Sequence, residues 1–221
     1  MKTAIVIGAT GLVGNELTKL LLKDSRIEKV KIFVRRLTGL SHSKLEEHIV
    51  DFNLPDEWKK LLTGDVLYSA MGTTLRAAGS KEAQHMVDYT YQYNTAKAAA
   101  GNGVKKYVLV SAGGASANSK IFYSRMKGEL ERDIRKLPFE TIHIVRPGML
   151  KGHRTNTRTG EIIGGAILGF ISHIPGLKAL QPIEGHEVAT AMINGSFRHV
   201  VGIHSYSPAS LFNLSKLTTI K

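Results

Sequence analysis

The sequence predicts an α/β fold in which a doubly wound parallel sheet lies between two layers of helices, a three-layer α/β/α arrangement. Short apolar runs rich in valine and isoleucine alternate with segments of helical periodicity along most of the chain. The apolar runs are continuous, which is typical of parallel strands that are buried on both faces. With 221 residues, the chain is long enough for one domain of this kind, and we expect residues 1–221 to form it.

The predicted elements follow one another in regular order. Strands are expected near residues 3–7, 30–34, 48–50, 66–70, 107–110, 141–145 and 202–206. Helices are expected near residues 12–23, 56–62, 81–101, 119–136 and 184–195. Residues 150–181 interrupt the alternation, and we interpret them as an insertion or lid on the substrate side. Ligands bind such sheets at the carboxyl ends of the strands, so residues that directly follow a strand are the first candidates for a site.

Three glycines spaced three residues apart, Gly8, Gly11 and Gly14, follow the first predicted strand and lead into a helix. The free N–H groups and the positive dipole at a helix N-terminus attract phosphate. Glycines also allow a tight turn and let a pyrophosphate approach the backbone. The spacing differs from the better-known Gly-x-Gly-x-x-Gly, and an ordinary glycine-rich turn is the alternative. The pattern predicts a dinucleotide site at the start of the chain.

The end of the second predicted strand indicates which dinucleotide is bound. Folds that bind NAD carry an acid there that accepts from the ribose 2′-hydroxyl, whereas this chain has Arg35 and Arg36. Two guanidinium groups would bind a 2′-phosphate through charge-assisted hydrogen bonds. NADP(H) is therefore the expected cofactor, and a solvated basic loop is the alternative.

Two further strand ends add candidate cofactor contacts. Asp51 and Phe52 follow the third strand, where the carboxylate would accept from the adenine amino group while the aromatic ring packs nearby. Met71, Gly72 and Thr73 follow the fourth strand, where Gly72 would let the cofactor lie against the backbone. Ordinary turn residues are the alternative at both places.

Tyr123 and Lys127 are the candidate catalytic residues. They are four residues apart, so a helix places both side chains on one face. A phenol ordinarily ionises near pH ~10, and a neighbouring ammonium favours the phenolate, which makes the hydroxyl a better general acid and base. Ser111 ends the preceding strand, where its hydroxyl would polarise a substrate carbonyl. The alternatives are surface helix residues for the pair and local capping or packing for Ser111.

The composition limits the classes of partner. The formal net charge of +12 favours an anionic partner, and both nucleic acid and a phosphorylated cofactor fit that description. The basic residues are spread along the chain, and neither zinc-ligand spacing nor a nucleic-acid-binding motif is visible. We therefore expect a small-molecule substrate rather than nucleic acid, with a homodimer left open.

The chain contains no cysteine, which excludes a thiol nucleophile and is compatible with a reducing compartment. No signal-peptide pattern precedes the first strand, and no apolar run is long enough for a membrane span. These features lead us to expect a cytoplasmic protein. His143 falls within a predicted strand and is expected to be a core residue rather than a ligand or base.

Taken together, these patterns resemble the atypical short-chain dehydrogenases/reductases, an NAD(P)-binding family with the Rossmann fold. The shared motifs are Gly8-x-x-Gly11-x-x-Gly14, Asp51-Phe52, the segment from Asp88 to Asn94, Ser111, Tyr123-x-x-x-Lys127 and Arg146-Pro147-Gly148. Within this family the chain is most similar to the Tat-interactive-protein type of NADPH-binding oxidoreductase. That narrower similarity rests on Arg35-Arg36, Met71-Gly72-Thr73-Thr74 and Lys127-Gly128-Glu129.

The resemblance implies a reaction as well as contacts. Tyr123 would be the proton donor and acceptor in hydride transfer between NADPH and a small carbonyl compound. The implied cofactor contacts are Thr10, Gly11, Leu12, Val13, Arg35, Arg36, Met71, Gly72, Tyr123, Lys127, Leu150 and Arg158. The strand that ends at Ser111 usually ends in two serines in this family, whereas Ala112 follows here. Two other functions stay open: an NADPH-binding regulatory or scaffolding protein without turnover, and a sugar-nucleotide epimerase that uses the same fold and dyad.

Overall fold

Seven parallel strands form the centre of the fold in residues 1–151 and 182–216, which the computed structural model describes. In chain order the strands are β1 (Lys2–Ile7), β2 (Ile27–Val34), β3 (Leu45–Ile49), β4 (Val66–Ser69), β5 (Lys106–Val110), β6 (Thr141–Val145), β7 (Leu150–Lys151), β8 (Ile183–Glu184) and β9 (Gly202–Tyr206). The main sheet has the order β3–β2–β1–β4–β5–β6–β9, and β7 pairs with β8 separately. The order reverses between β1 and β4, which confirms the predicted doubly wound sheet. In sheets of this kind, ligands bind outside the carboxyl ends of the strands where the order reverses.

Helices cover both faces of this sheet. They are α1 (Leu12–Lys23), α2 (Pro55–Trp58), α3 (Leu75–Ala78), α4 (Lys81–His85), α5 (Tyr91–Gly101), α6 (Phe122–Ile134), α7 (Gly185–Ser196) and α8 (Pro208–Ser215). The core on one face includes Leu17 of α1 and Leu211 of α8, and the core on the other face includes Trp58 of α2 and Leu130 of α6. The predicted three layers are therefore present. None of the helices in the described residues is both long and apolar enough to cross a bilayer.

The amphipathic pattern of α1 shows how the sequence forms these layers. Val13, Leu17 and Leu21 recur at intervals of four and are all buried, so they form one apolar stripe facing the sheet. The helix ends at Lys23, where a basic side chain in the last turn interacts favourably with the helix dipole.

Several element boundaries differ from the expectation. Strand β3 covers Leu45–Ile49 rather than 48–50, because this edge strand is only partly buried and carries polar residues. The predicted helix over 81–101 is interrupted by a π-helical turn, Met86–Thr90, between α4 and α5. Helix α8 was not predicted, although Ser207 caps it and Pro208 occupies its first position. Of the expected insertion over 150–181, residues 152–181 lie outside the described part of the chain.

His143 lies in the centre of β6 with no exposed surface, so its predicted core position is confirmed. Its Nδ1 lies 3.0 Å from the Tyr206 hydroxyl, and its ring stacks on those of His204 and Tyr206. Burial, with smaller contributions from His204, Lys106 and Arg198, lowers the pKa of His143 to about 4. The folded protein therefore excludes a proton that the unfolded chain takes up below its ordinary pKa of 6.5.

This pKa shift predicts a loss of stability in weak acid. Between about pH 7 and about pH 5 the unfolded chain binds the His143 proton while the folded protein does not, so the free energy of unfolding should fall by about 2 kcal/mol. Urea unfolding at the two pH values measures this change. His143→Gln should remove most of the loss, whereas His199→Gln should leave it unchanged, because that side chain is in solvent in both states. Equal losses in the wild type and His143→Gln would contradict the assignment.

Candidate active site

The glycine turn after β1 packs directly against the end of β4. Gly8 has a φ of +81°, and a Cβ atom there would lie 2.5 Å from the Ala70 carbonyl carbon and from the Met71 nitrogen. A Cβ atom on Gly14 would lie 2.0 Å from the Gly8 carbonyl oxygen. The missing side chains therefore allow two close approaches, one between neighbouring strand ends and one between the turn and α1.

The first turn of α1 offers unpaired N–H groups at this point. Gly11 precedes the helix in an extended conformation (φ −81°, ψ 172°) and provides no side-chain cap. The first turn contains no acidic residue, so nothing in it opposes a bound anion. Thr10 is exposed beside it, and the N–H groups of Leu12 and Val13 have no carbonyl partner within the helix. This arrangement fits the pyrophosphate of a dinucleotide.

Arg35 and Arg36 directly follow β2, which neighbours β1 in the sheet, so they lie at the same edge as the glycine turn. Both side chains are exposed. Neither guanidinium is paired with another residue in the described parts of the chain. Two unpaired cations at this edge suit a phosphate group, and their role in selecting NADP(H) stays a prediction.

Asp51 and Phe52 follow β3 at the same edge but differ in exposure. Oδ1 of Asp51 accepts hydrogen bonds from the backbone N–H and the side-chain amide of Asn53, both at 2.9 Å. The Phe52 ring is buried against Trp58 and Tyr91, with centroids 5.2 and 5.6 Å away. The ring therefore stabilises the loop from the core, and an adenine contact is left to Asp51.

Tyr123 and Lys127 lie on one face of α6, as the spacing predicts. The Lys127 ammonium nitrogen is 5.9 Å from the centroid of the Tyr123 ring. Tyr123 is 39% exposed, whereas Lys127 is only 3% exposed. The phenol is thus open to a substrate while the cation beneath it is shielded from water, which strengthens its electrostatic effect.

Lys127 is held by a residue to which the resemblance assigns no role. Its Nζ forms an ion pair with Oδ1 of Asp88 at 2.9 Å, and both side chains are buried. Oδ2 of Asp88 accepts a hydrogen bond from the Thr73 N–H at 2.7 Å. The loop of Met71, Gly72 and Thr73 is thereby linked to α6. No local pattern in the sequence shows this contact, because the partners come from three separate segments.

Ser111 belongs to a second buried polar network. Its hydroxyl donates to Oε1 of Glu131 at 2.6 Å, and Glu131 also accepts from the Arg146 guanidinium with both oxygens. The hydrogen bond to Glu131 raises the pKa of Arg146 above its ordinary value. The structure therefore supports the packing alternative for Ser111, and its contact with a substrate carbonyl stays a prediction.

Gly128 allows α6 to lie close to the loop that precedes it. A Cβ atom there would be 2.2 Å from the Ala117 nitrogen and from the Ser116 carbonyl carbon. The Ser116 N–H also donates to the Ser124 carbonyl at 3.0 Å. This glycine therefore positions the helix that carries both candidate catalytic residues.

The last two candidate cofactor contacts, Leu150 and Arg158, lie close together in the sequence after β6. Leu150 is half-exposed in β7, where it pairs with Ile183 of β8. Arg158 lies outside the described residues. Both stay predictions.

Solved structures with a similar fold include a nucleotide-sugar epimerase and an enzyme in complex with NAD⁺. A UDP-N-acetylglucosamine 4-epimerase from Methanobrevibacter ruminantium superposes with a TM-score of 0.68 at 18% identity, covering 93% of this chain and 76% of that chain. The enzyme WbmH from Bordetella bronchiseptica, solved in complex with NAD⁺, superposes with a TM-score of 0.69 at 15% identity, covering 95% of this chain and 77% of that chain. At these identities the likeness establishes the Rossmann fold.

Sequence relatives are found among fungal proteins. The protein FMP52-1 of Scheffersomyces stipitis is 34% identical over 202 residues, covering 88% of each chain. The protein fmp52 of Aspergillus fumigatus is 35% identical over 214 residues, covering 91% of this chain and 90% of that protein. Both are named as mitochondrial proteins, so the expectation of a cytoplasmic location is wrong by this comparison.

A family model described as NAD(P)H-binding matches residues 8–166. This range begins at the glycine turn and includes Tyr123 and Lys127, so it spans the site assembled above. The expected NAD(P)H-binding family is confirmed: the chain belongs to this family and has the Rossmann fold.

Proposed function

We propose that this protein is an NADPH-dependent oxidoreductase that reduces a small carbonyl compound, with Tyr123 as the proton donor. The observation that carries the proposal is the partly exposed Tyr123 side chain with the buried Lys127 ammonium 5.9 Å from its ring centroid, on a helix that follows β5. Strand β5 neighbours β4, whose end contacts the glycine turn. A phenol supported by a buried ammonium beside a dinucleotide site is suited to proton transfer coupled to hydride transfer.

The side chains of this site would act in sequence. The glycine turn would hold NADPH, which would supply the hydride for reduction of the carbonyl carbon. Tyr123 gives its hydroxyl proton to the carbonyl oxygen, and Lys127 stabilises the resulting phenolate. Because Tyr123 is partly exposed, solvent can return the proton after the alcohol has formed. The backbone at Met71 and Gly72 would hold the cofactor against the end of β4.

Assay of the wild-type protein tests this function directly. We expect NADPH to bind and to be oxidised in the presence of aldehydes or ketones from a broad panel. The decrease in NADPH absorbance measures this oxidation. Binding without oxidation across the panel would favour a regulatory NADPH-binding protein instead. Interconversion of a nucleotide sugar with a tightly retained NAD(H) would favour an epimerase.

The names of the fungal relatives support a mitochondrial location for the activity.

The choice of NADP(H) rests on Arg35 and Arg36. Replacing both with alanine should weaken NADPH binding about tenfold or more, because each charge-assisted hydrogen bond contributes about 1.5–3 kcal/mol. NADH lacks the 2′-phosphate, so its affinity should change by less than about twofold. Calorimetric titration of both cofactors measures the difference.

The matched control for that experiment is Arg132→Ala with Lys136→Ala. This pair removes the same total charge, but its side chains pair with Asp133 at the outer surface of α6. The control should leave both affinities close to those of the wild type. Equal affinities of the wild type for NADPH and NADH would refute the cofactor assignment.

A further inference from the structure

We propose that Asp88 is a positioning residue that holds Lys127 and the loop after β4 in the arrangement the reaction needs. This inference rests on the proposed function, and it adds a residue to the site. Asp88 is 1% exposed and Lys127 is 3% exposed. A charge buried to this extent is costly unless it is paired. The ion pair between Asp88 and Lys127 therefore differs from a surface ion pair, whose charges are solvated in any case.

The two carboxylate oxygens of Asp88 have different partners. Oδ1 lies 2.9 Å from Nζ of Lys127, and Oδ2 accepts from the Thr73 N–H at 2.7 Å. Among the residues that the structure describes, Asp88 is the acid paired with Lys127. The Asp88 carboxylate thus sets two positions. One is that of the Lys127 ammonium beneath Tyr123, and the other is that of the Thr73 backbone, in the loop expected to face the nicotinamide.

The backbone around Asp88 is shaped to bring this carboxylate inward. Asp88 lies in the middle of the π-helical turn Met86–Thr90, in which the Tyr91 N–H donates to the Met86 carbonyl. The side-chain amide of Gln92 donates to the Asp88 carbonyl at 2.7 Å. Isolated π-helical turns occur frequently at functional sites, and here the turn carries a side chain that joins α6 to the β4 loop.

The β4 loop is fitted closely to this carboxylate. A Cβ atom on Gly72 would lie 3.2 Å from Oδ1 of Asp88. Gln84 of α4 donates its side-chain amide to the Thr73 carbonyl at 3.1 Å. The loop is therefore held at both its N–H and its carbonyl, and a displaced Asp88 would move the Lys127 ammonium and the Gly72 backbone together. Active-site groups tolerate misplacement of only about 0.5 Å.

A double-mutant cycle on NADPH affinity tests the inference. Asp88→Asn removes the charge but keeps an oxygen for the Thr73 N–H, and Lys127→Met removes the ammonium while keeping an apolar stem. We expect Asp88→Asn to weaken NADPH binding about tenfold in the wild-type background, by loss of a charge-assisted contact. In the Lys127→Met background the same change should alter the affinity by less than about twofold, since Asp88 acts through Lys127.

Asp88→Glu provides a second variant if Asp88→Asn is too unstable to purify. It retains the charge and lengthens the side chain by one methylene, so we expect it to fold, to lower kcat about tenfold and to change KM for the carbonyl substrate less. Glu140→Gln is the control, because Glu140 also forms an ion pair, but with Lys105 at the protein surface. It should leave kcat and NADPH affinity unchanged.

The possible outcomes separate the two levels of the proposal. Equal effects of Asp88→Asn with and without Lys127 would show that Asp88 acts on the fold alone and would overturn the positioning role. Wild-type kcat in Asp88→Glu together with wild-type NADPH affinity in Asp88→Asn would overturn it as well. Failure of the wild-type protein to bind NADPH, measured before any substitution, would instead refute the proposed function on which the inference rests.

Discussion

Replacement of Tyr123 by phenylalanine is expected to lower the rate of carbonyl reduction by about 10²–10⁴-fold, the usual contribution of a general acid or base. The phenylalanine ring fills the same position on α6 but has no proton to give to the carbonyl oxygen. NADPH affinity should change by less than about tenfold, because one neutral hydrogen bond contributes roughly 0.5–1.5 kcal/mol. Steady-state kinetics and a separate cofactor titration distinguish the two quantities.

Tyr93→Phe is the matched control for this experiment. Tyr93 lies on α5, where its ring stacks on that of Tyr89 with centroids 6.0 Å apart. Loss of its hydroxyl should leave kcat unchanged. If Tyr123→Phe retained the wild-type rate, another group would have to supply the proton, and the proposed mechanism would be wrong.

Gly14→Ala is expected to have the largest effect on folding stability. Its Cβ would lie 2.0 Å from the Gly8 carbonyl oxygen and 2.6 Å from the Gly8 carbonyl carbon. Both are backbone atoms of a turn that already packs against β4, so the strain has no flexible side chain to absorb it. We expect a loss of roughly 3 kcal/mol in the free energy of unfolding, measured with urea, and about tenfold weaker NADPH binding from the displaced helix end.

Gly101→Ala makes the same substitution at another helical glycine. Gly101 lies at the end of α5, and no atom lies within 4 Å of the position its Cβ would take. Stability should therefore be unchanged or rise by up to about 1 kcal/mol, because alanine restricts the unfolded chain more than glycine does. Equal stability of Gly14→Ala and the wild type would contradict the close approach of α1 to the glycine turn.

Much of the candidate site was predictable because its signals are local. The glycine turn is recognised from three glycines within seven residues of one another. The shared face of Tyr123 and Lys127 is recognised from their helical spacing alone. Arg35 and Arg36 are located by the end of β2. In each case the chemistry follows from residues that are neighbours in sequence, and parallel strands bring their carboxyl ends to one edge.

Other features depend on contacts that the sequence does not encode locally. The hydroxyl of Ser111 donates to Glu131, which also holds Arg146, and its contact with a substrate carbonyl stays a prediction. The Phe52 ring packs into the core against Trp58 and Tyr91, and its place near adenine stays a prediction. In both cases the partners come from other elements of the fold, so the residues around the strand end do not show these contacts.

The sequence by itself determined the fold class, the position of the glycine turn and the shared helix face of Tyr123 and Lys127, because hydrophobic periodicity and short spacings specify strands, helices and shared faces. Only the tertiary structure decided which buried charges pair. Asp88, Thr73 and Lys127 come from a π-helical turn, a loop and a helix that are distant in the chain, and they meet because the sheet order places β4 beside β5. A buried carboxylate must find its partners among groups that folding brings to it, so its role emerges only when the elements have packed.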